Sequence, residues 1–357
     1  ENGRWLRVNV PGRWWSVPLF SDDGHLAVWQ DWAGRSSRDP HQVFLADLSV
    51  ERPRAIATSL LLGEDVQTVG LSPSGRRLAV AAEKTLSVYS LPDGGLVRAV
   101  RMDVGPGRVG LRFSGEEEIS LSAWDGDDRH RSAPVDVTLW RLDIPSGKLA
   151  QTGKLTGASY RGYWVMPGDP RGELFLAVHS AGGGFELVLH DARTGAPRAS
   201  LLSGPERPPA RVAFLHDGRI LVGESRTATG QAARIHVFDR EGSLLRTIDL
   251  GDGYLAGLGS EVSPGVLAVT VSRGEDFSWP NHEDAQGMLV DTDRGTVQKL
   301  AKGYVAVRAS GWWSPGRQPA EPGSACARLF RSPDGALVRY EPASGSFTTI
   351  LATHWPF

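Results

Sequence analysis

One phrase returns along this 357-residue chain about every fifty residues, and that recurrence limits the available folds more than any other feature. Its clearest copy, residues 71 to 100, reads LSPSGRRLAVAAEKTLSVYSLPDGGLVRAV. RRLAVAAE and TLSVYSL are short apolar runs bounded by turn residues, too short for helices, and they predict β-strands. Pro92-Asp93-Gly94-Gly95 predicts a tight reversal, because glycine tolerates the positive φ of hairpin turns. GLVRAV then returns as a further strand. The same outer hairpin continues as RLDIPSGKLAQT, HDARTGAPRAS, FDREGSLLRTI, VDTDRGTVQKL and YEPASGSFTTI. Turn glycines are expected at Gly95, Gly147, Gly195, Gly242, Gly295 and Gly345, at intervals of 52, 48, 47, 53 and 50 residues. The first unit has LADLSVERPRAI, with Glu51-Arg52-Pro53 in place of the glycine turn.

Upstream of the hairpins lie two more strand-like runs, such as WSVPLF then HLAVWQ, RVGLRF then EISLSAW, and RVAFLH then RILVGES. Seven units of four strands predict an all-β fold, a seven-bladed β-propeller of four-stranded antiparallel blades. The expected blades span 13–58, 66–101, 108–153, 161–202, 210–250, 254–301 and 304–352, as one domain over 1–357. Stacked blades cover each other's faces, which explains why the middle runs are nearly continuous apolar segments. ENGRWLRVNVPG aligns with REGSLLRTIDLG, so residues 1–12 are expected to supply an outer strand that helps close the ring. Since SFTTIL already offers an outer strand, a fifth strand in the last blade is the preferred reading, the alternative being a different division of residues 304–351.

The turns SDDGHLAV, SPSGRRLAV and SPDGALV, with hairpins of the form Asp-x-x-Thr/Ser-Gly, resemble the WD40-like and TolB-type propeller repeats of bacteria. The resemblance covers nearly the whole chain. It implies an architecture and leaves activity to the site, since a superfold hosts many functions.

Composition removes several partners. A net charge of -2 gives no electrostatic reason to expect a nucleic-acid backbone or an anionic membrane, and no apolar run is long enough to span one. The single cysteine, Cys326, excludes an intrachain disulfide and a multi-thiolate zinc site, and it reads as an inert buried thiol. The chain opens on Glu1 rather than Met, which points to processing or excision from a longer chain, in the bacterial cell envelope or the cytoplasm.

Function is expected on one face. In a four-stranded meander the loop between the second and third strands emerges beside the connection to the next blade. Those loops are long in four units: QDWAGRSSRDPHQ, AWDGDDRHRSAP, ESRTATGQAA and SRGEDFSWPNHEDAQ. Long structureless loops in compact domains are often functional. Trp32, Arg35, Arg38 and Asp39 in the first loop, and Trp124, Asp128 and Arg129 in the second, are candidate partner contacts. Phe277, Trp279, His282 and Glu283 extend the set, because aromatics and arginines ringed by polar groups anchor interfaces. The simpler alternative for any one tryptophan is to cover a blade edge. On the opposite face the long segment 311–327, with Trp312 and Trp313, reads mainly as packing.

No cofactor is expected. Asp125, Asp127 and Asp128 around Gly126, with His130 nearby, are the best candidate for calcium, but the spacing departs from the twelve-residue calcium loop, and solvated loop charge is the simpler reading. GPGRVG at 105–110 matches a dinucleotide-loop pattern yet leads into a strand, where pyrophosphate needs a helix terminus. The motifs GxxxxGK[ST], HExxH and GxSxG are absent from the sequence. No catalytic residue is assigned. His25, His179, His190, His216 and His236 lie in or beside predicted strands, where each reads first as a structural histidine and second as part of an axial constellation. The expectation is therefore a non-catalytic scaffold that binds a protein, or another part of its parent chain, through the long-loop face. The alternative is an enzyme or carbohydrate-binding propeller with its site in the axial funnel.

Overall fold

A computed structural model of the chain describes residues 19–21, 26–31, 41–47, 56–62, 66–82, 84–103, 108–124, 134–159, 169, 171–181, 184–204, 211–225, 232–272, 285–306, 329–333 and 337–351. All of its regular structure there is β, and each sheet is an antiparallel meander whose strands pair in chain order. Among these residues no helix is long and apolar enough to cross a membrane.

The first sheet holds β1 (Leu19–Phe20), β2 (Leu26–Asp31), β3 (His41–Asp47) and β4 (Ile56–Leu62). The second holds β5 (Val66–Leu71), β6 (Arg77–Ala82), β7 (Thr85–Ser90) and β8 (Leu96–Arg101). A third runs through β9 (Arg108–Phe113), β10 (Glu118–Trp124), β11 (Pro134–Asp143), β12 (Lys148–Ser159), β13 (Leu174–Ala181), β14 (Gly184–Asp191) and β15 (Pro197–Gly204). Three four-stranded sheets follow. The first comprises β16 (Arg211–Phe214), β17 (Ile220–Ser225), β18 (Ala232–Phe238) and β19 (Leu244–Asp252). Next come β20 (Tyr254–Ser263), β21 (Val266–Ser272), β22 (Ala285–Asp291) and β23 (Thr296–Lys302). The last comprises β24 (Val305–Ala306), β25 (Leu329–Arg331), β26 (Leu337–Glu341) and β27 (Ser346–Leu351). The strands fall into two compact units, β1–β15 and β16–β27.

The seven-stranded sheet departs from the expected pattern of separate four-stranded sheets. β12 does not stop at residue 153 but runs to Ser159, and there Ala158 pairs with His179 of β13. That is the one register pair between β12 and β13 among the described residues. Through it β9–β12 and β13–β15 join into a single sheet. The run 161–168, where the fourth unit's first strand is expected, lies outside the described residues.

Period-two alternation divides each middle strand between two neighbours. In the first unit, Leu78 and Val80 of β6 join a core with Leu19, Val28, Val43 and Leu45 of the preceding sheet. Ala79 and Ala81, on the other face, pack with Leu111, Phe113 and Leu121 of the following one. In the second unit, Leu267, Val269 and Val271 of β21 share a core with Leu221, Ile235 and Val237 of the preceding sheet. Ala268 turns instead to Phe330, Val338 and Tyr340 of the following sheet. In both strands larger residues face backward and small ones forward. Fully burying each such valine, leucine or phenylalanine contributes about 1.5–3 kcal/mol, so the shared faces hold consecutive sheets together. Outer strands carry the exposed side, as at Leu96, Val97, Leu244 and Leu245.

Glycines make room for this stacking. An ideal Cβ on Gly70 of β5 would lie 2.3 Å from Leu111 of β9, and one on Gly223 of β17 would lie 2.1 Å from Leu255 of β20. At the outer turns Gly147, Gly195, Gly242, Gly295 and Gly345 have positive φ, as expected. In the second sheet that role belongs to Gly94 rather than Gly95. The aspartate that opens several of these turns closes an Asx-type loop: Asp143 accepts from the Ser146 N–H, Asp191 from those of Arg193 and Thr194, and Asp291 from those of Asp293 and Arg294.

Candidate functional site

The strand order fixes which connections share an end of each sheet. Turns between first and second strands, and between third and fourth strands, lie at one end; the connections between second and third strands lie at the other. The long segments 32–40, 125–133, 226–231 and 273–284 therefore leave from the second-to-third end of their sheets, as expected. Trp124 is the last residue of β10, paired through its backbone with Arg108 and Val137. The other candidate contacts, Trp32, Arg35, Arg38, Asp39, Asp128, Arg129, Phe277, Trp279, His282 and Glu283, lie outside the described residues. So do Asp125, Asp127, His130, His25, Trp312, Trp313 and Cys326. The run GPGRVG opens strand β9, not a helix.

The short-turn end is committed to holding sheets together. In the first unit, Glu116 accepts from both the N–H and the hydroxyl of Ser74 in the preceding sheet's turn, and Arg77 donates to the Glu116 carbonyl at 2.8 Å. Arg98 of β8 donates to the carbonyls of Ile144 and Pro145 in the next outer turn, at 3.1 and 2.6 Å. In the second unit, Arg246 of β19 donates to the Arg294 carbonyl at 2.8 Å. There Glu261, 2% exposed, accepts from the N–H groups of His216 at 2.5 Å and Gly265 at 3.0 Å. Burial pushes the Glu261 carboxyl above its ordinary pKa, against the pull of those two donors.

Two histidine arrangements were not visible in the sequence as arrangements. In the first unit, His190 of β14 is 2% exposed and stacks on Phe175 at 5.1 Å. Its Nδ1 lies 2.9 Å from the Gly195 carbonyl and its Nε2 lies 2.9 Å from Nε2 of His179. Both rings lie on one sheet face with Ala177 between Phe175 and His179 on β13, and that small residue leaves room for them to meet. Burial lowers the pKa of both; for His190 the Gly195 carbonyl opposes the shift and His179 adds to it. Beside them, Asp191 would be raised by burial alone, but Arg198 and the Thr194 and Arg193 donors hold its pKa at about 2.

The turn carrying Gly195 presses on β12. An ideal Cβ on Gly153 would lie 2.7 Å from the Thr194 carbonyl oxygen, a backbone atom that cannot swing aside. Gly153→Ala should therefore cost about 1–3 kcal/mol by overpacking, read as a lower urea midpoint with an unchanged slope.

In the second unit, His236 of β18 lies between Thr247 and Glu224: Nδ1 is 3.0 Å from the Thr247 hydroxyl and Nε2 is 3.2 Å from Glu224. His216 sits exposed in a turn and uses its backbone N–H on Glu261. Among the described residues no group of three or more His, Cys, Asp or Glu could hold a metal ion.

Neither a protein-family model nor a curated protein sequence matches the chain. Solved structures do. Dihydro-heme d1 dehydrogenase NirN aligns at 18% identity and a TM-score of 0.55 over 94% of this chain and 66% of that one. Dipeptidyl peptidase 4 of Porphyromonas gingivalis aligns at 12% and 0.58, over 93% of this chain and 51% of that one. The β-propeller domain of the trilobed protease from Pyrococcus furiosus aligns at 12% and 0.54, over 81% and 84%. This chain thus spans about half of the peptidase and just under two thirds of the dehydrogenase. At these identities the likeness is one of fold: the chain has distant structural homology to β-propeller repeat proteins, as its repeats imply.

Proposed function

We propose that the chain is a single seven-bladed β-propeller over 1–357, closed with the help of a strand from residues 1–12, and that it binds its ligand at the end bearing the second-to-third-strand connections. One observation carries this reading: within each compact unit the short-turn ends of consecutive sheets are tied by structural bonds, from Glu116 and Arg98 in the first and from Arg246 and Glu261 in the second. The long segments 32–40 and 273–284, which carry Trp32 and Trp279, and 125–133, which follows Trp124, leave from the second-to-third-strand ends of their sheets. Two occupants suit such an end. A protein partner, or another part of the parent chain, would use the aromatic and arginine side chains as anchors. A small molecule or sugar would sit in the axial funnel at the same end, in an enzyme or carbohydrate-binding propeller. A dehydrogenase and a peptidase are among the structures this chain resembles, which favours the second occupant.

The test is the pair Trp32→Ala and Trp279→Ala in the full chain, with circular dichroism for the fold, an oligosaccharide and substrate panel, and a co-purified partner. Protein recognition predicts an unchanged spectrum and partner binding weakened about thirtyfold, the equivalent of a 2 kcal/mol anchor. The funnel reading predicts a panel ligand whose binding survives. Partner and panel ligand both mapping to the short-turn end would contradict the proposal.

A further inference from the structure

We propose that the His179–His190 pair is a proton-sensitive latch that holds β13–β15 onto β9–β12. The first ground is stereochemical. A carbonyl only accepts, so the contact with Gly195 requires the proton of His190 to sit on Nδ1. Its Nε2 then presents a lone pair, and the facing Nε2 of His179, at 2.9 Å, must supply the hydrogen. The pair holds its geometry with both rings neutral, or with one extra proton on Nδ1 of His179. It does not hold with two, because two Nε2–H groups would point at each other.

The second ground is position. His179 is itself the residue whose pairing with Ala158 joins β13 to β12. His190 grips the β14–β15 turn, whose Thr194 and Gly195 backbone lies against Gly153 and Lys154 of β12. The pair thus touches two of the places where the two halves of this sheet meet, beside the core that Val137, Leu139 and Leu155 share with Phe175 and Ala177. The charged groups on the surrounding strands are Asp136, Arg141 and Asp143 of β11, Lys148 and Lys154 of β12, Glu186 and Asp191 of β14, and Arg198 of β15. Lys154 is paired with Asp136 at 2.7 Å, Arg141 with Glu118 at 3.2 Å, and Arg198 with Asp191. Glu186 stands opposite His179 across the strands and favours its charged form. It supports the first proton and leaves the second excluded.

The sign follows. Both folded pKa values lie below the ordinary histidine value of 6.5, so the opened form binds more protons as the pH falls past that value. Opening is then favoured by up to about tenfold per pH unit for each extra proton taken up. The experiment is hydrogen exchange of the full chain, as protection corrected for intrinsic rates, between about pH 7.5 and 5.5 around that reference value. Expected is at least about a tenfold loss of protection in β13–β15 with little change in β5–β8. His179→Gln with His190→Gln should abolish that difference. A fall equal in both regions, no fall, or a fall that persists in the double variant overturns the latch. Long-range proton–nitrogen NMR of the unmodified chain tests it even if the variant fails to fold: His190 should be protonated on Nδ1 and bare on Nε2 near neutral pH, and the opposite tautomer refutes the proposal.

Discussion

Phe113→Ala should destabilise the chain by about 3–5 kcal/mol, the range for removing a buried phenylalanine from a core that cannot collapse around the gap. Phe113 is 2% exposed at the end of β9, among the largest fully enclosed side chains. It belongs to a cluster drawn from two sheets: Ala79, Ala81, Leu86 and Val88 on one side, and Ile119 and Leu142 on its own. Both walls are backbone-rigid sheets, so the cavity stays open. Equilibrium urea unfolding followed by tryptophan fluorescence measures the loss, and a change below about 1 kcal/mol, less than a typical methylene costs in a tight core, would show that the ring is not enclosed as described.

Glu261→Ala should cost about 2–4 kcal/mol, because it strips the acceptor from two backbone donors, each worth about 1–3 kcal/mol when left unsatisfied. Those donors, His216 and Gly265, belong to turns of consecutive sheets, so the carboxylate acts as a clip between them. Glu261→Gln keeps the shape but sets an NH2 group against one of the donors, and it should recover only part of the loss. The pH dependence separates this from simple packing. The folded-state pKa is raised, so the folded chain binds the proton more readily than the unfolded one. The cost of the buried charge is therefore full at neutral pH and is relieved as the pH falls through the raised value. Relative to Glu261→Gln, the unaltered chain should gain stability on mild acidification, so denaturation midpoints of the two should draw further apart as the pH falls, and midpoints that converge would contradict the raised pKa.

The strands were the legible part of the sequence because their signal is local. RRLAVAAE, TLSVYSL, RVGLRF and RILVGES give β6, β7, β9 and β17, since an apolar run between turn residues has few other solutions. The outer turns were legible for the same reason, except where Gly94 and Gly95 are adjacent and either satisfies the pattern. The merger of β9–β12 with β13–β15 was hidden because nothing in KLTGASY marks a strand end, and the pairing of Ala158 with His179 is non-local. The histidine pair was hidden likewise. His179 and His190 are eleven residues apart, and only the register of β13 against β14, with Ala177 between, turns two isolated rings into a bonded pair. The clip at Glu261 links residues 45 positions apart and gave no sequence signal beyond an acidic residue near a turn. The binding residues proposed on the long connections rest on their types and on the end from which those connections leave.

That consecutive sheets share one core through opposite faces of the same strand is most directly tested by regional hydrogen exchange in Phe113→Ala. If the cluster is shared, exchange must quicken in β6 and β7 of the preceding sheet about as much as in β10 and β11. Quickening confined to β9–β12, with β6 and β7 unchanged, would mean that each sheet keeps its own core and would contradict the stacking on which the whole account rests.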